Sequence, residues 1–237
     1  MASRNLFESL KALAPTISVG VTTADLMNLG SQLALLEQSG VGVLHFDVMD
    51  GCFCPSMTMG PPFIKAVKTP LIKDVHLMID CPLTKLADYV AAGADMITVH
   101  IESDPTHIHR VFQSLAGMTN ANDPERGIVR AVGLNPGTPV EAIEPLLDEI
   151  DMALLLAINP GWAGQKFIPS TAERLARARK LISGRDILLA LDGGITCDNI
   201  GEVAKLGADI VITGSAVFDG KAPLENAKFM LQGVRGQ

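Results

Sequence analysis

Aromatic residues are scarce in this 237-residue chain, with one Trp, one Tyr and eight Phe making up 4% of the total. Stacking platforms for single-stranded nucleic acid need several such rings, so that class of partner is disfavoured. Positive charge is also short. Lys and Arg total 19 against 26 Asp and Glu, for a net charge of −7 and a pI near 5.2, which argues against nucleic acid as a partner. No apolar run approaches the roughly 18–20 residues needed to cross a bilayer. Arg4, Glu8 and Lys11 interrupt the stretch where a signal peptide needs an unbroken apolar core. A cytoplasmic protein with no membrane partner is therefore expected. Cys52, Cys54, Cys81 and Cys197 form no C-x-x-C pair, so free thiols are expected. Nor is there a low-complexity tract or a Ser/Gly-rich linker, and the chain reads as one domain over 1–237 with residues 1–14 as an N-terminal extension. That extension is either a short amphipathic helix packed under the fold (Leu6, Phe7, Leu10, Leu13) or a frayed end.

Apolar residues, in contrast, are plentiful at 48%, with a mean hydropathy of +0.30, enough to bury a large core. They recur as short runs: Ile17–Val21, Val43–Val48, Asp74–Met78, Met96–Ile101, Ala131–Leu134, Met152–Ile158, Ile187–Leu191 and Ile210–Thr213. Runs of this length rich in Val, Ile and Leu read as strands buried on both faces. Helical patterns lie between them, as at Ala24–Ser39, Pro82–Ala91, Ser170–Ile182 and Asp198–Leu206. Three of these patterns stop at a glycine (Gly40, Gly93 and Gly207) with the next strand close behind, as a left-handed helix terminus requires. Eight strand–helix units of about 30 residues each predict an α/β fold of the (β/α)8 TIM-barrel kind. A doubly wound open sheet is the competing architecture, but no G-x-G-x-x-G follows Ile17–Val21.

In a barrel, chemistry belongs at the C-terminal ends of the strands, and the unusual polar residues fall there. His45 and Asp47 are two apart on the second strand, so they point to the same side. His76 ends the third strand and Asp192 the seventh. Two imidazoles and two carboxylates converging in an apolar mouth form a mixed N/O ligand set suited to one divalent ion such as zinc, manganese, iron(II) or cobalt. The competing view, in which each is a separately satisfied core group, is disfavoured because isolated buried carboxylates are costly. Asp50 and Gly51 read as turn residues. His100 and Glu102 repeat the H-x-[DE] spacing, which fits support of the ligand set, a substrate contact or a plain rim position. His107 and His109 read as solvated.

The last loops have a different character. Gly193-Gly194 follows the seventh strand, and Gly214-Ser215 follows the eighth and is expected to open a helix. Neighbouring glycine-rich loops of this kind hold a phosphate through backbone N–H groups. The loop Asn159–Gln165 carries the sole Trp and reads as a lid whose Gly161, Trp162, Ala163 and Gly164 contact a substrate. A rigid, packed loop is its alternative.

Six ordered motifs then stand out: His45-Phe46-Asp47-Val48-Met49-Asp50-Gly51, Val75-His76-Leu77-Met78, Gly133-Leu134-Asn135-Pro136, Asn159 through Phe167, Leu191-Asp192-Gly193-Gly194 and Thr213-Gly214-Ser215-Ala216. From about Ile17 to Phe218 the chain resembles the ribulose-phosphate 3-epimerase family. The resemblance implies a TIM barrel that holds one divalent metal through His45, Asp47, His76 and Asp192, forms a homo-oligomer, and interconverts ketose phosphates differing at C3, such as ribulose 5-phosphate and xylulose 5-phosphate. It implies Asp47 and Asp192 as the two acid–base groups of an enediolate reaction, titrating as a coupled pair, with His76 also against the substrate. There are departures from the family pattern. Gly20 stands where the family carries Ser when the chain is aligned through Thr23-Ala24-Asp25, with Thr16 or Ser18 taking that place if an insertion is allowed. Leu156-Ala157 stands where Met is frequent, Ala163 replaces a usual Gly, and Cys52 and Cys54 replace the customary residues after Asp-Gly. These changes bear on which sugar is taken, so an epimerase of allulose 6-phosphate or of a tetrulose phosphate is an alternative. So is a non-catalytic sugar-phosphate sensor, although a sensor needs no opposed carboxylates. The related decarboxylase pattern Asp-x-Lys-x-x-Asp is not met, because the second strand reads Asp47-Val48-Met49-Asp50.

Overall fold

The computed structural model describes residues 4–236; Met1–Ser3 of the expected N-terminal extension lie outside the described residues. Eight parallel strands close into a barrel in sequence order: β1 (Thr16–Gly20), β2 (Val43–Met49), β3 (Ile72–Met78), β4 (Met96–His100), β5 (Val129–Leu134), β6 (Met152–Leu156), β7 (Leu188–Asp192) and β8 (Ile210–Thr213). The expected barrel is thus what forms. The outer helices are α2 (Leu29–Ser39), α3 (Pro61–Ala66), α4 (Leu86–Ala91), α5 (Ile108–Ala116), α6 (Thr171–Leu181), α7 (Ile200–Lys205) and α8 (Pro223–Val234). The connection from β5 to β6 departs from the pattern: Val140–Leu146 is a 3₁₀ helix with Pro145 inside it. Proline has no N–H to give and crowds the preceding turn, so an α-helix cannot propagate there.

Side-chain alternation along the strands makes two apolar clusters. One lies between barrel and helices, with Phe46, Val75, Leu77, Val99, Leu155 and Leu191 packed against residues such as Leu36, Leu86 and Met230. The other fills the lower barrel interior, where Val43, Ile72, Met96, Met152, Leu188 and Ile210 meet. α1 (Asn5–Leu13) closes this end: Leu6, Phe7 and Leu10 are buried in the interior cluster. Among the described residues, Asn5–Leu13 is therefore a packed helix and not a frayed end. Toward the upper end the interior changes character. β1 to β4 contribute Ser18, His45, Asp74, His76, Thr98 and His100, all buried, and these continue the inward-facing rows begun by the apolar residues below them. Register places Gly20 beside His45, Asp47 beside His76, and His100 beside Gly133. No helix among the described residues is long and apolar enough to cross a membrane.

Candidate active site

The four residues expected to converge do so. His45, Asp47, His76 and Asp192 each offer one ligand atom, and these atoms lie within 4.8 Å of one another. His76 Nδ1 is 3.6 Å from Asp47 Oδ1 and 3.6 Å from Asp192 Oδ2, and this buried nitrogen has no hydrogen-bond partner. His45 places Nε2 3.2 Å from Asp47 Oδ1 and donates from Nδ1 to Asp74 Oδ2 at 2.7 Å. Ser18 donates to the same Asp74 oxygen at 3.0 Å. An unpartnered imidazole nitrogen facing two carboxylates from β2 and β7 is a donor set that fits a divalent cation.

The electrostatics divide the two carboxyls. Burial pushes Asp47 up, but the charge and hydrogen bond of the neighbouring His45 outweigh it and hold its carboxyl well below the usual range. Asp192 has no such hydrogen bond. Burial raises it, with the charges of Asp47 and Asp74 adding and His45 opposing, so that its carboxyl is pushed up to about 7. Burial disfavours charge on His45 too, yet Asp74 and Asp47 raise its proton affinity well above that of a free imidazole. For His76 burial prevails and lowers it. One carboxyl thus keeps its proton where the other has lost it.

The first-strand position also resolves. Ser18 is buried against Asp74, and Thr16 lies a further two residues down the strand. Gly20 is the one at the mouth: a Cβ built there would sit 3.7 Å from Asp47 Oδ2. The hydroxyl that reaches Asp47 comes instead from Thr22, in the 3₁₀ turn Val21–Thr23, and donates to Oδ2 at 3.0 Å. Sequence reasoning missed both Thr22 and Asp74. Asp74 was visible two residues before His76, on the same side of β3.

Gly193, Gly194, Gly214 and Ser215 occupy adjacent loops, since β7 pairs with β8. Among the described residues no hydrogen bond engages their backbone N–H groups. Gly214–Val217 forms a single turn and not the expected helix start; α8 begins only at Pro223. The N–H groups at this end are therefore those of a turn, without a helix behind them. The Asn159–Gln165 loop is laced to itself. Gln165 donates to the Asn159 and Trp162 carbonyls and accepts from Asn159 N–H, and Ser56 donates to the Gly161 carbonyl. Trp162 stands 59% exposed on it, beside a cleft of about 590 Å³ that also meets Phe53 and Asn135. Ala163 and Gly164 are exposed on the same loop.

Asp50 serves its turn, accepting from the N–H groups of Cys52, Phe53 and Asp80. The four cysteines are free. His107 and His109 are exposed, as expected. His100 is fully buried and bonded to His76 Nε2 at 2.7 Å, which removes the rim reading.

The profile of the ribulose-phosphate 3-epimerase family matches residues 16–218. A ribulose-phosphate 3-epimerase of Escherichia coli is 39% identical over 209 residues, covering 86% of this chain and 88% of the relative. One from Bacillus subtilis is 37% identical over 207 residues, covering 85% and 91%. A chloroplastic ribulose-5-phosphate-3-epimerase of Arabidopsis thaliana is 37% identical over 217 residues, covering 90% and 74%. Among solved structures, 3-hexulose-6-phosphate synthase from Salmonella typhimurium superposes with a TM-score of 0.68 at 21% identity, covering 94% of this chain and all of that one, a likeness of fold alone. The match over residues 16–218, together with relatives at 37–39% identity, makes this chain a member of the ribulose-phosphate 3-epimerase family, a family of isomerases.

Proposed function

We propose that the chain epimerises a ketose phosphate at C3, with ribulose 5-phosphate and xylulose 5-phosphate as the pair interconverted. The observation that carries this reading is the pair Asp47 and Asp192, which approach one point near His76 Nδ1 from β2 and β7 with opposite proton affinities. Inverting a carbon beside a carbonyl means taking its proton from one face and giving one back to the other. Asp47, ionised, accepts the C3 proton; Asp192, protonated, delivers one to the opposite face of the planar enediolate. The two carboxyls have then exchanged states, and the reverse reaction runs from that state without rearrangement. His45, Asp47, His76 and Asp192 would hold one divalent ion, zinc, iron(II), manganese or cobalt, which when bound supplies a Lewis acid for the negative charge that develops on the sugar oxygens.

The free N–H groups of Gly193, Gly194, Gly214 and Ser215 support a phosphate subsite, and the Gly161–Gly164 segment with Trp162 covers the sugar. Family membership supports a homo-oligomer. Incubation with ribulose 5-phosphate in deuterated water tests the reading: xylulose 5-phosphate forms carrying deuterium at C3, and Asp47→Asn or Asp192→Asn abolishes formation of that product. Near-wild-type formation of deuterated xylulose 5-phosphate in either variant refutes the two-carboxyl assignment. Turnover confined to a four- or six-carbon ketose phosphate would refute the choice of substrate alone.

A further inference from the structure

His76 does not stand alone in the barrel. Its Nε2 meets His100 Nε2 at 2.7 Å, and His100 Nδ1 meets Glu102 Oε2 at 3.1 Å. Both rings are fully buried and nearly parallel, with centroids 5.0 Å apart, and Phe53 packs on His100 at 4.9 Å. Glu102 Oε1 accepts from Asn135 N–H at 2.8 Å and from the Thr138 hydroxyl. The Asn135 and Thr138 carbonyls are held in turn by Arg174. The space for the His100 ring exists because residue 133 on the neighbouring strand is glycine: a Cβ there would lie 3.1 Å from His100 Nε2.

We infer that Glu102, acting through His100, fixes His76 in the tautomer whose bare Nδ1 faces Asp47 and Asp192. The inference rests on the cation-binding reading above and makes Glu102 and His100 positioning residues. Proton bookkeeping carries it. A carboxylate only accepts, so His100 Nδ1 must bear hydrogen. The neutral His100 ring then has a bare Nε2, and at 2.7 Å the facing His76 Nε2 must be the donor. That leaves the His76 lone pair on Nδ1, the nitrogen that has no hydrogen-bond partner. His45 is oriented by a shorter route, since Asp74 takes its Nδ1–H directly and turns Nε2 toward Asp47, where a cation would displace the proton. The two imidazoles thus present opposite nitrogens, each set by its own carboxylate, one of them through an intervening ring.

The sharpest test is Glu102→Gln, which keeps shape and reverses logic. Asn135 N–H and Thr138 O–H hold the amide oxygen on their side, so the amide NH₂ faces His100. His100 must then accept at Nδ1 and donate from Nε2, which drives the His76 proton onto Nδ1. Nitrogen-15 NMR of the histidine-labelled full chain, treated with chelator at pH 8, reads the tautomer directly. His76 is expected as Nε2–H in the wild type and Nδ1–H in Glu102→Gln. Zinc affinity, measured by competition with a chromogenic chelator, falls about 10–100-fold in the variant. A wild-type His76 protonated on Nδ1, or a folded variant with unchanged tautomer and affinity, overturns the inference. The wild-type spectrum decides even if the variant does not fold. Wild-type protein that binds no zinc would defeat the cation reading, while the tautomer stands or falls separately.

Discussion

Gly164 and Gly194 form a natural controlled pair, because both adopt left-handed backbone (φ +75° and +68°) but differ in surroundings. Alanine at Gly164 meets nothing within 4 Å, so its penalty is the backbone conformation alone, roughly 1–2 kcal/mol. Alanine at Gly194 adds a collision. Its Cβ would lie 2.5 Å from Phe167 N and 2.8 Å from Phe167 Cα, so the contact must open by about 0.9 Å to reach 3.4 Å. The obstacle is main chain and is anchored: Ile168 N–H bonds the Ala157 carbonyl at 2.9 Å, and Ala157 N–H bonds Asp192 O at 2.7 Å. Overpacking of this kind typically adds about 1–3 kcal/mol. Gly194→Ala is therefore expected to lose at least about 1 kcal/mol more than Gly164→Ala in urea denaturation. If the proposed phosphate subsite holds, displacing the Gly194 N–H should also raise KM for ribulose 5-phosphate by about tenfold, the loss of one hydrogen bond to a charged group. Equal stability losses in the two variants would refute the packing argument.

Other outcomes follow from the acid–base pair and its neighbours. The folded Asp192 carboxyl holds its proton up to about 7, against 3.8 for the free side chain. Between those values the native state binds the extra proton, so chelator-treated wild type should lose stability relative to Asp192→Asn as pH rises from about 4 to 7. The ceiling is on the order of 4 kcal/mol; a difference that stays flat, or grows with pH, in urea titrations contradicts the assignment. Thr22→Val removes the Thr22 hydroxyl from Asp47 Oδ2 and should lower kcat about tenfold with KM little changed, consistent with a hydrogen bond to a charged group. Thr22→Ser should restore the rate, and failure to do so would place the defect in packing instead.

Much of the fold and of the site is legible in the sequence. The strands announced themselves because a parallel barrel buries both faces, leaving unbroken Val, Ile and Leu runs such as Ile210–Thr213. His45 and Asp47 were legible from a period of two, and Asp192 from its place ahead of Gly193. What escaped depends on distance through space. Thr22 reaches Asp47 only because the chain curls into a 3₁₀ turn after β1, and nothing at residue 22 signals that return. Asp74 looked like the start of a run, whereas β3 begins two residues earlier at Ile72 and places it inside under His45. The helix expected to open at Gly214-Ser215 is instead one turn, and the loop continues to Pro223 before α8 starts. His100 and Glu102 share the spacing of His45 and Asp47, but only the rings' orientation distinguishes support from contact.

The stopper that α1 forms has a kinetic corollary. With Leu6, Phe7 and Leu10 sealing one end among apolar side chains, the route by which Asp47 and Asp192 would trade hydrogens with bulk water is the opposite opening, the doorway the proposed substrate would use. An occupied doorway would therefore quarantine both carboxyls. Each departing product would leave behind a mirror-image enzyme that must be reset by solvent before it can process another molecule in the same direction, and at high flux that resetting, more than the chemistry on carbon, would govern turnover.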